Sequence, residues 1–459
     1  MKSATTAGAV ALTGALVLTL TACSSGEQAE GGDATSGGAV EIEVSIDAGL
    51  DEAARAKFDE RVAQFEDEHP DITVTAREYT WEGTTFATEL AGGTLPDVFT
   101  IPFTDGRGLI EREQLADISD LVAELPYAED FNPNVAQAGQ AADGSMWAVP
   151  IAAYSQGLHY NRTLFEQAGL DPDDPPTTWE EVREDAKTIA DATGVAGYAT
   201  MTSGNTGGWI LTTLTNAFGG SVQEFDGETA TSTIDTPELT EVLEYLHALR
   251  WEDDSMGANF LYDWGSINQD FAAGQIGMYV SGGGNYGNLF TQNAMNPDDY
   301  GLTVIPLVGD GGVLGGGTLA AVSAKASPEE QAAGVEWIDF YYMEKLTDEA
   351  AAKLDAETAV ANDQPVGAPE LPVFDEQTYL ESRAWTAEYV NVPVDQMSSY
   401  TENIFDQPVV PEPARSTQEI YALLDPVVQA VLTDEDADID ALVAQVQEEA
   451  QALLDAAQG

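Results

Sequence analysis

Basic residues are scarce in this sequence: 16 Lys and Arg stand against 80 Asp and Glu, a formal net charge of −64 over 459 residues. So negative a chain repels nucleic acid and anionic lipid surfaces, and neither is an expected partner. Cysteine is scarcer still: the single residue, Cys23, excludes an internal disulfide. Histidine occurs three times, as His69, His159 and His247, in no HExxH or other ligand spacing, so no metal and no cofactor is expected. His159 falls in a core-forming strand pattern and His69 at a helix end, both structural positions. Gly-x-Ser-x-Gly and GxxxxGK[ST] are also missing. With 80 carboxylates some pair meets any glycosidase spacing, so such pairs carry no information and no catalytic residue is expected. Beyond the N-terminal run, no stretch approaches the ~20 apolar residues of a membrane span.

What the chain has in excess is acid, scattered along its whole length rather than gathered in a tail. Self-repulsion on that scale destabilises a folded chain unless salt screens it, and the Debye length falls to about 3 Å at 1 M. The expected setting is therefore a saline exterior, with a halophilic type of surface. The rival reading, a cation-binding protein, would concentrate its acids in one place.

The N-terminus is the most specific segment. Lys2 supplies a positive n-region, Ala7 to Leu20 an apolar h-region, and Leu20-Thr21-Ala22-Cys23 a small-residue cut site, the layout of a secretory signal peptide. It resembles the lipobox of bacterial lipoproteins, in which the cysteine is acylated (palmitate among the acyl groups) and becomes the new N-terminus. Two acyl chains hold a protein stably where one binds marginally, at about 0.8 kcal/mol per buried CH2. The expected organisation is a leader over residues 1–22, lipidation at Cys23, and a flexible acidic Gly/Ser tether over 23–39. The expected location is the outer, extracytoplasmic face of the bacterial cytoplasmic membrane.

Val40 to Ile46 alternates as a strand, a helix carries Phe58, Val62 and Phe65 on one face and stops before Pro70, and Asp71 to Glu78 alternates again. Strand, helix, strand is a parallel crossover unit and sets the class as α/β. Thr178-Trp179-Glu180-Glu181 and Ser327-Pro328-Glu329-Glu330 are capping-box helix starts. From Asp436 the residues Ile439, Leu442, Val443, Val446, Ala450, Leu453 and Leu454 form a one-sided stripe, predicting a terminal amphipathic helix. There is no internal repeat.

Five segments in order resemble the extracellular solute-binding proteins of ABC importers, the branch that includes maltose- and other sugar-binding proteins. They are Phe65 to Val74 (FEDEHPDITV), Gly93 to Phe99 (GTLPDVF), Asp143 to Pro150 (DGSMWAVP), His159 to Leu170 (HYNRTLFEQAGL) with Pro176 to Glu181 (PTTWEE), and Phe271 to Met278 (FAAGQIGM). The resemblance implies a two-lobed periplasmic-binding-protein-like fold of type II, with the ligand cleft between lobes that close by a hinge. It implies a first lobe of 40–152 plus about 287–345 and a second of about 153–286 plus 346–459. It also implies a monomer that delivers a small solute, mono- or oligosaccharide, to the membrane subunits of an ABC permease.

A sugar site needs aromatic faces and planar polar groups, placed on loops at the carboxyl ends of parallel strands. The candidates are Asp47 after the first strand, Trp81 and Glu82 after the second, and Thr104 and Asp105 past the Pro-Asp turn. Tyr154 lies in the crossing segment. Asn205 and Trp209 sit in a Gly-rich stretch, and Trp264 precedes a helix. Sugar binders of the family commonly carry a Trp shortly after a Gly beyond Met278-Tyr279-Val280; here the chain reads Ser281-Gly282-Gly283-Gly284-Asn285-Tyr286, so Asn285 and Tyr286 are placed on that wall. Gly316, within Gly315-Gly316-Gly317, offers close backbone approach from the first lobe. Trp147, Trp179 and Trp337 are expected in the core, and Trp251 and Trp385 are left unassigned. Two other readings stay open: a polyamine or cation receptor of the same fold using Glu82, Asp105 and Asp47, and a surface adhesion lipoprotein without a small ligand.

Overall fold

Alternation in the first strand decides the first layer. In the computed structural model, which describes residues 39–458 apart from 48, 51, 82 and 226–228, β1 (Val40–Ile46) buries Ile42, Val44 and Ile46 and turns its polar residues outward. The leader, Cys23, all of the tether but Ala39, and Glu82 lie outside the described residues. β1 pairs in parallel with β2 (Ile72–Glu78) along its whole length, Val40 opposite Ile72 and Ile46 opposite Glu78. The helix between them, Glu52–Glu68, buries Phe58 and Phe65 against Trp337, with ring centroids 5.9 and 5.2 Å apart. The expected crossover unit is present. At the Pro-Asp turn the Asp97 carboxylate accepts the Glu43 backbone N–H at 2.8 Å, clamping β1 to the start of β3 (Val98–Pro102).

The longest strand joins everything else. β4 (Val149–Asn161) is 13 residues long. Its first half pairs antiparallel with β10 (Val313–Val322), from Val149 opposite Ala320 to Ser155 opposite Gly315. Its second half pairs with β8 (Ile276–Gly282) and β9 (Tyr300–Val304). β10 continues outward to β3, and β5 (Ala196–Tyr198) lies beyond β8, so the sheet runs β2-β1-β3-β10-β4-β8-β5. A short strand, β11 (Val409–Pro411), pairs in parallel with Val313–Gly315. A separate hairpin joins β6 (Gln223–Phe225) to β7 (Ala230–Ser232). The molecule is a two-lobed α/β protein: β1, β2 and β3 belong to one lobe, β5, β8 and β9 to the other, and β4 and β10 cross between them.

Two chain assignments differ from expectation. Residues 287–312 do not return to the first lobe, because β9 pairs with Gly157–Asn161 and its Gly301 lies against the Tyr160 ring, where a β-carbon would come within 2.2 Å. The return is made by β10. Conversely, the stretch around Val373 packs on the first lobe: Asn132 donates from its backbone to Val373 O at 2.9 Å and from its amide to Pro372 O at 3.0 Å, and the Phe131 and Phe374 rings lie 5.1 Å apart. Neither segment carries a polar or glycine signal that distinguishes the lobes.

The second lobe is held by two helices in backbone contact. Thr206–Ala217 crosses Thr417–Thr433 at Gly208, where an added β-carbon would fall 2.2 Å from Tyr421 O. Asp425 on the second helix is buried and accepts the backbone N–H of Asn205 at 2.7 Å and of Gly208 at 2.8 Å, filling the otherwise unpaired first turn of its neighbour. The terminal helix Ile439–Gln458 buries Val443, Val446, Ala450 and Leu454, the stripe read from the sequence. Gly208→Ala should destabilise the protein by about 1–3 kcal/mol through overpacking, read as a lower denaturant midpoint in molar salt. An unchanged midpoint would mean the helices do not cross this closely.

Candidate functional site

Between the lobes lies a cleft of about 580 Å³, within the usual size of a small-molecule site. Its first-lobe wall is the helix Phe103–Glu111, which springs directly from the carboxyl end of β3. Thr212 and Asn216 of the Thr206–Ala217 helix, with Gln223 and Phe225 of β6, form the facing wall. Gly315 of β10 and the segment Val409 to Ala414 make the floor, and Arg415, held to Gln223, joins the facing wall.

Thr104 and Asp105 stand in this cleft, at the strand end where the sequence placed them. The Trp81 indole N–H donates to Asp105 Oδ2 at 3.2 Å and the Thr104 hydroxyl donates to the same oxygen at 3.3 Å. Trp81 itself is half-buried against Phe86, centroids 4.7 Å apart, and backs the carboxylate. Burial pushes Asp105 above the usual carboxylate range despite these bonds.

Tyr154 sits on β4 directly opposite Gly316 on β10. A β-carbon at Gly316 would lie 2.7 Å from the Tyr154 hydroxyl, so the glycine seats this ring. Burial, and after it the Glu412 carboxylate, raise the Tyr154 hydroxyl. Glu412 lines the cleft, accepts the Tyr421 hydroxyl at 3.1 Å, and is itself raised by burial.

Trp81, Tyr154 and Gly316 stand behind the residues that line the cleft, and the other candidates do not converge on it. Asp47 is exposed at the end of β1, close enough to Tyr341 and Tyr342 to help raise their hydroxyls after burial does so. Asn205 takes a left-handed conformation (φ 68°), gives its backbone N–H to Asp425 and its amide to Gln418 at 3.2 Å, and so shapes the helix start. Trp209 is half-buried against the second-lobe core, one turn before Thr212. Trp264 is 38% exposed at the first turn of the helix Trp264–Ala272. Glu82 lies outside the described residues. Asn285 and Tyr286 are interior: Asn285 donates to Asn268 at 2.7 Å and to the Tyr279 hydroxyl at 2.8 Å, and Tyr286 stacks on Phe290 at an interplanar angle of 9°. The chain turns inward there through Gly283–Asn285 and starts a helix at Tyr286, so the wall expected of them is filled by the second-lobe core. His159 is also core; burial lowers it to about 4.

Sequence reasoning missed Phe103, Phe225, Glu412 and two arginines, Arg112 and Arg415. A usable signal existed. With 16 basic residues in the whole chain, each one asks for a place, and Arg415 sits in a Pro-rich loop just before a helix start.

Residues 48–346 match the model of the bacterial extracellular solute-binding proteins. The chain belongs to this family. Among curated relatives, the sn-glycerol-3-phosphate-binding periplasmic protein UgpB of Salmonella typhimurium is 26% identical over 212 residues, which is 44% of this chain and 46% of that protein. The chain thus spans about half the length of the curated relatives it matches. Two solved structures share the fold over nearly the whole solute-binding chain. The cyclic alpha-maltosyl-1,6-maltose binding protein from Arthrobacter globiformis superposes with a TM-score of 0.66 at 24% identity, covering 91% of this chain and 99% of the other. UgpB from Mycobacterium tuberculosis, in complex with glycerophosphocholine, does so with a TM-score of 0.64 at 18% identity, covering 91% and 99%. These relatives are binding proteins, not enzymes.

The half-buried Glu412 gives this solute-binding protein a pH signature. Its folded-state value lies above the ordinary 4.5, so its favourable contribution is complete below that value and is lost as pH rises through the folded one. The stability difference between wild type and Glu412→Gln should therefore shift in the variant's favour between about pH 4 and pH 8, followed by denaturant unfolding in constant salt. A difference independent of pH would sink this account of the cleft floor.

Proposed function

We propose that this chain is the lipid-anchored substrate-binding component of an ABC importer. It captures a small polyhydroxylated solute, a mono- or oligosaccharide or a substituted polyol, by closing its lobes about β4 and β10, and delivers it to the permease. The observation that carries the reading is the cleft itself. Both lobes supply a wall, the crossing strands supply the floor, and ring faces (Phe103, Phe225) stand among planar polar groups (Asp105, Asn216, Gln223, Glu412). Such a mixture suits a ligand with C–H faces and hydroxyl edges. The ligands named for the relatives, sn-glycerol-3-phosphate, a cyclic maltosyl-maltose and glycerophosphocholine, are all of that kind.

The cation-receptor alternative needs carboxylates that converge. Asp47 stands apart from Asp105, and Asp105 already accepts two hydrogen bonds. The acidic surface belongs instead to a saline exterior. Even around one helix the acids crowd: Asp185 is raised to about 6, first by burial and then by Glu181 and Glu184 of its own helix and Asp174 ahead of it, a repulsion that salt relieves.

The reading is tested by thermal melting of protein lacking residues 1–23, in molar salt, against sugars, polyols, polyol phosphates and polyamines. A ligand at about 100 times its dissociation constant adds about 2.7 kcal/mol and raises the melting temperature. A shift confined to polyamines would transfer the case to the cation receptor; a well-folded protein shifted by none would revive the adhesion reading. The anchor is tested separately. Cys23→Ala in the full chain should move the protein from the membrane fraction to the medium or the soluble envelope fraction, and retention at the membrane would rule out acylation at Cys23 as the tether.

A further inference from the structure

Basic side chains in this chain are mostly answered by carboxylates. Arg61 pairs with Glu344, Arg77 with Glu43, Arg107 with Glu111, Arg162 with Asp173, and Arg183 with Glu252 and Asp253. Arg112 and Arg415 both line the cleft, and among the described residues neither forms an ion pair, in a protein with 80 acids to choose from.

Both side chains are held from behind. Arg112, at the end of the Phe103–Glu111 helix, donates from Nε to Gln114 at 3.0 Å, and its Nη1 lies over Gly108, 3.1 Å from where a β-carbon would be. Arg415 belongs to the facing lobe. Gln223 grips its backbone twice, accepting its N–H at 3.0 Å and donating to its carbonyl at 2.8 Å, and its guanidinium rests over the Phe225 ring, 5.0 Å from the centroid. Each lobe therefore presents one arginine to the same space. They are near enough that Arg415 depresses Arg112 further, after burial has done so.

Asp105 and Glu111 favour the Arg112 charge from a distance, but no carboxylate in the cleft reaches either arginine as an ion pair. Arg107 and Glu111 neutralise one another. Asp105 feels both arginines, but its Oδ2 is occupied by Trp81 and Thr104. Glu412 accepts from Tyr421. Two like charges approaching from opposite lobes oppose closure until an anion lies between them. Guanidinium forks match the paired oxygens of phosphate and carboxylate, and such charge-assisted bonds are about twice as strong as neutral ones.

We propose that Arg112 and Arg415 form a two-sided oxyanion subsite, so that the solute this receptor captures carries a phosphate or carboxylate group beside its hydroxyls. This rests on the receptor reading above and narrows its ligand class.

The test is isothermal titration calorimetry on protein lacking residues 1–23, with matched pairs: sn-glycerol 3-phosphate against glycerol, and galacturonate against galactose, with maltose as a neutral oligosaccharide. The expected result is that at least one oxyanion member binds at least tenfold more tightly than its neutral counterpart and weakens as salt is raised. Which pair shows this separates phosphate from carboxylate. Arg112→Gln with Arg415→Gln should lose at least tenfold of that affinity, while the Lys variants retain part of it; an unchanged denaturant midpoint certifies that each variant is folded. A neutral ligand that binds as tightly as its charged partner, or a double Gln variant of unchanged affinity, overturns the subsite and leaves the receptor intact. A folded wild type that binds no member of the panel overturns the receptor reading and this one with it.

Discussion

The pairing of β4 with β10 is the constraint on which the rest of the molecule depends. A strand of ordinary length serves one sheet face in one lobe; β4 runs for 13 residues and changes partners part-way, from β10 to β8 and β9. Because backbone hydrogen bonds continue across the change, the lobes share one ladder and have a fixed relative register. The cleft is the space that this shared ladder leaves open on one side, and its floor residues, Gly315 and the β11 segment, are rungs of the same ladder. A site built there takes its floor from the ladder that both lobes share and its walls from each lobe separately.

Charge is the second constraint, and it works against the first. With a net charge of −64 the lobes repel one another at low salt, and every carboxylate drawn into the cleft raises the cost of closing it. Asp105 and Glu412 reside there with their pKa values pushed up by burial and with hydroxyl or indole donors against them. The arginines Arg112 and Arg415 bring the local charge back toward balance. Dissolved salt and basic side chains thus act on the same repulsion at two ranges: screening over a Debye length acts between the surfaces, and the arginine side chains act within the cleft.

Much of this was legible in the residues. The β1-helix-β2 crossover follows from alternation and apolar spacing, both capping boxes form as read, with Thr178 and Ser327 accepting from Glu181 and Glu330, and the terminal stripe is buried where the periodicity put it. Thr104 and Asp105 were reachable as cleft-lining positions because strand ends face a cleft by topology; Tyr154 was placed on the crossing strand but stands behind the lining. The losses have a common cause. Whether Tyr286 faces a cleft or a core depends on which way the chain leaves β8, and a run of three glycines leaves that direction open. β9 reads equally well as a strand of either lobe, since its pattern records burial and not partner. Arg415 acquires its role only through Gln223, 192 residues distant in sequence, a relation that no local pattern encodes.

The glycine runs were read as places where a ligand meets backbone, and the structure gives them a different occupant. A β-carbon on Gly316 would press on the Tyr154 ring, one on Gly317 would come within 2.6 Å of the Phe103 ring, and one on Gly283 would lie 2.3 Å from the Tyr400 hydroxyl. Three aromatic side chains of the protein itself lie where glycine side chains are missing, all of them at or beside the crossing between lobes. Without side chains at these glycines the neighbouring rings pack directly against backbone, and of the three rings Phe103 lines the cleft. A larger residue at Gly317 would tilt Phe103 off its seat, and Phe103 is a ring that lines the cleft. Gly317 therefore shapes the cleft at one remove, by setting how far the Phe103 ring stands back from its centre.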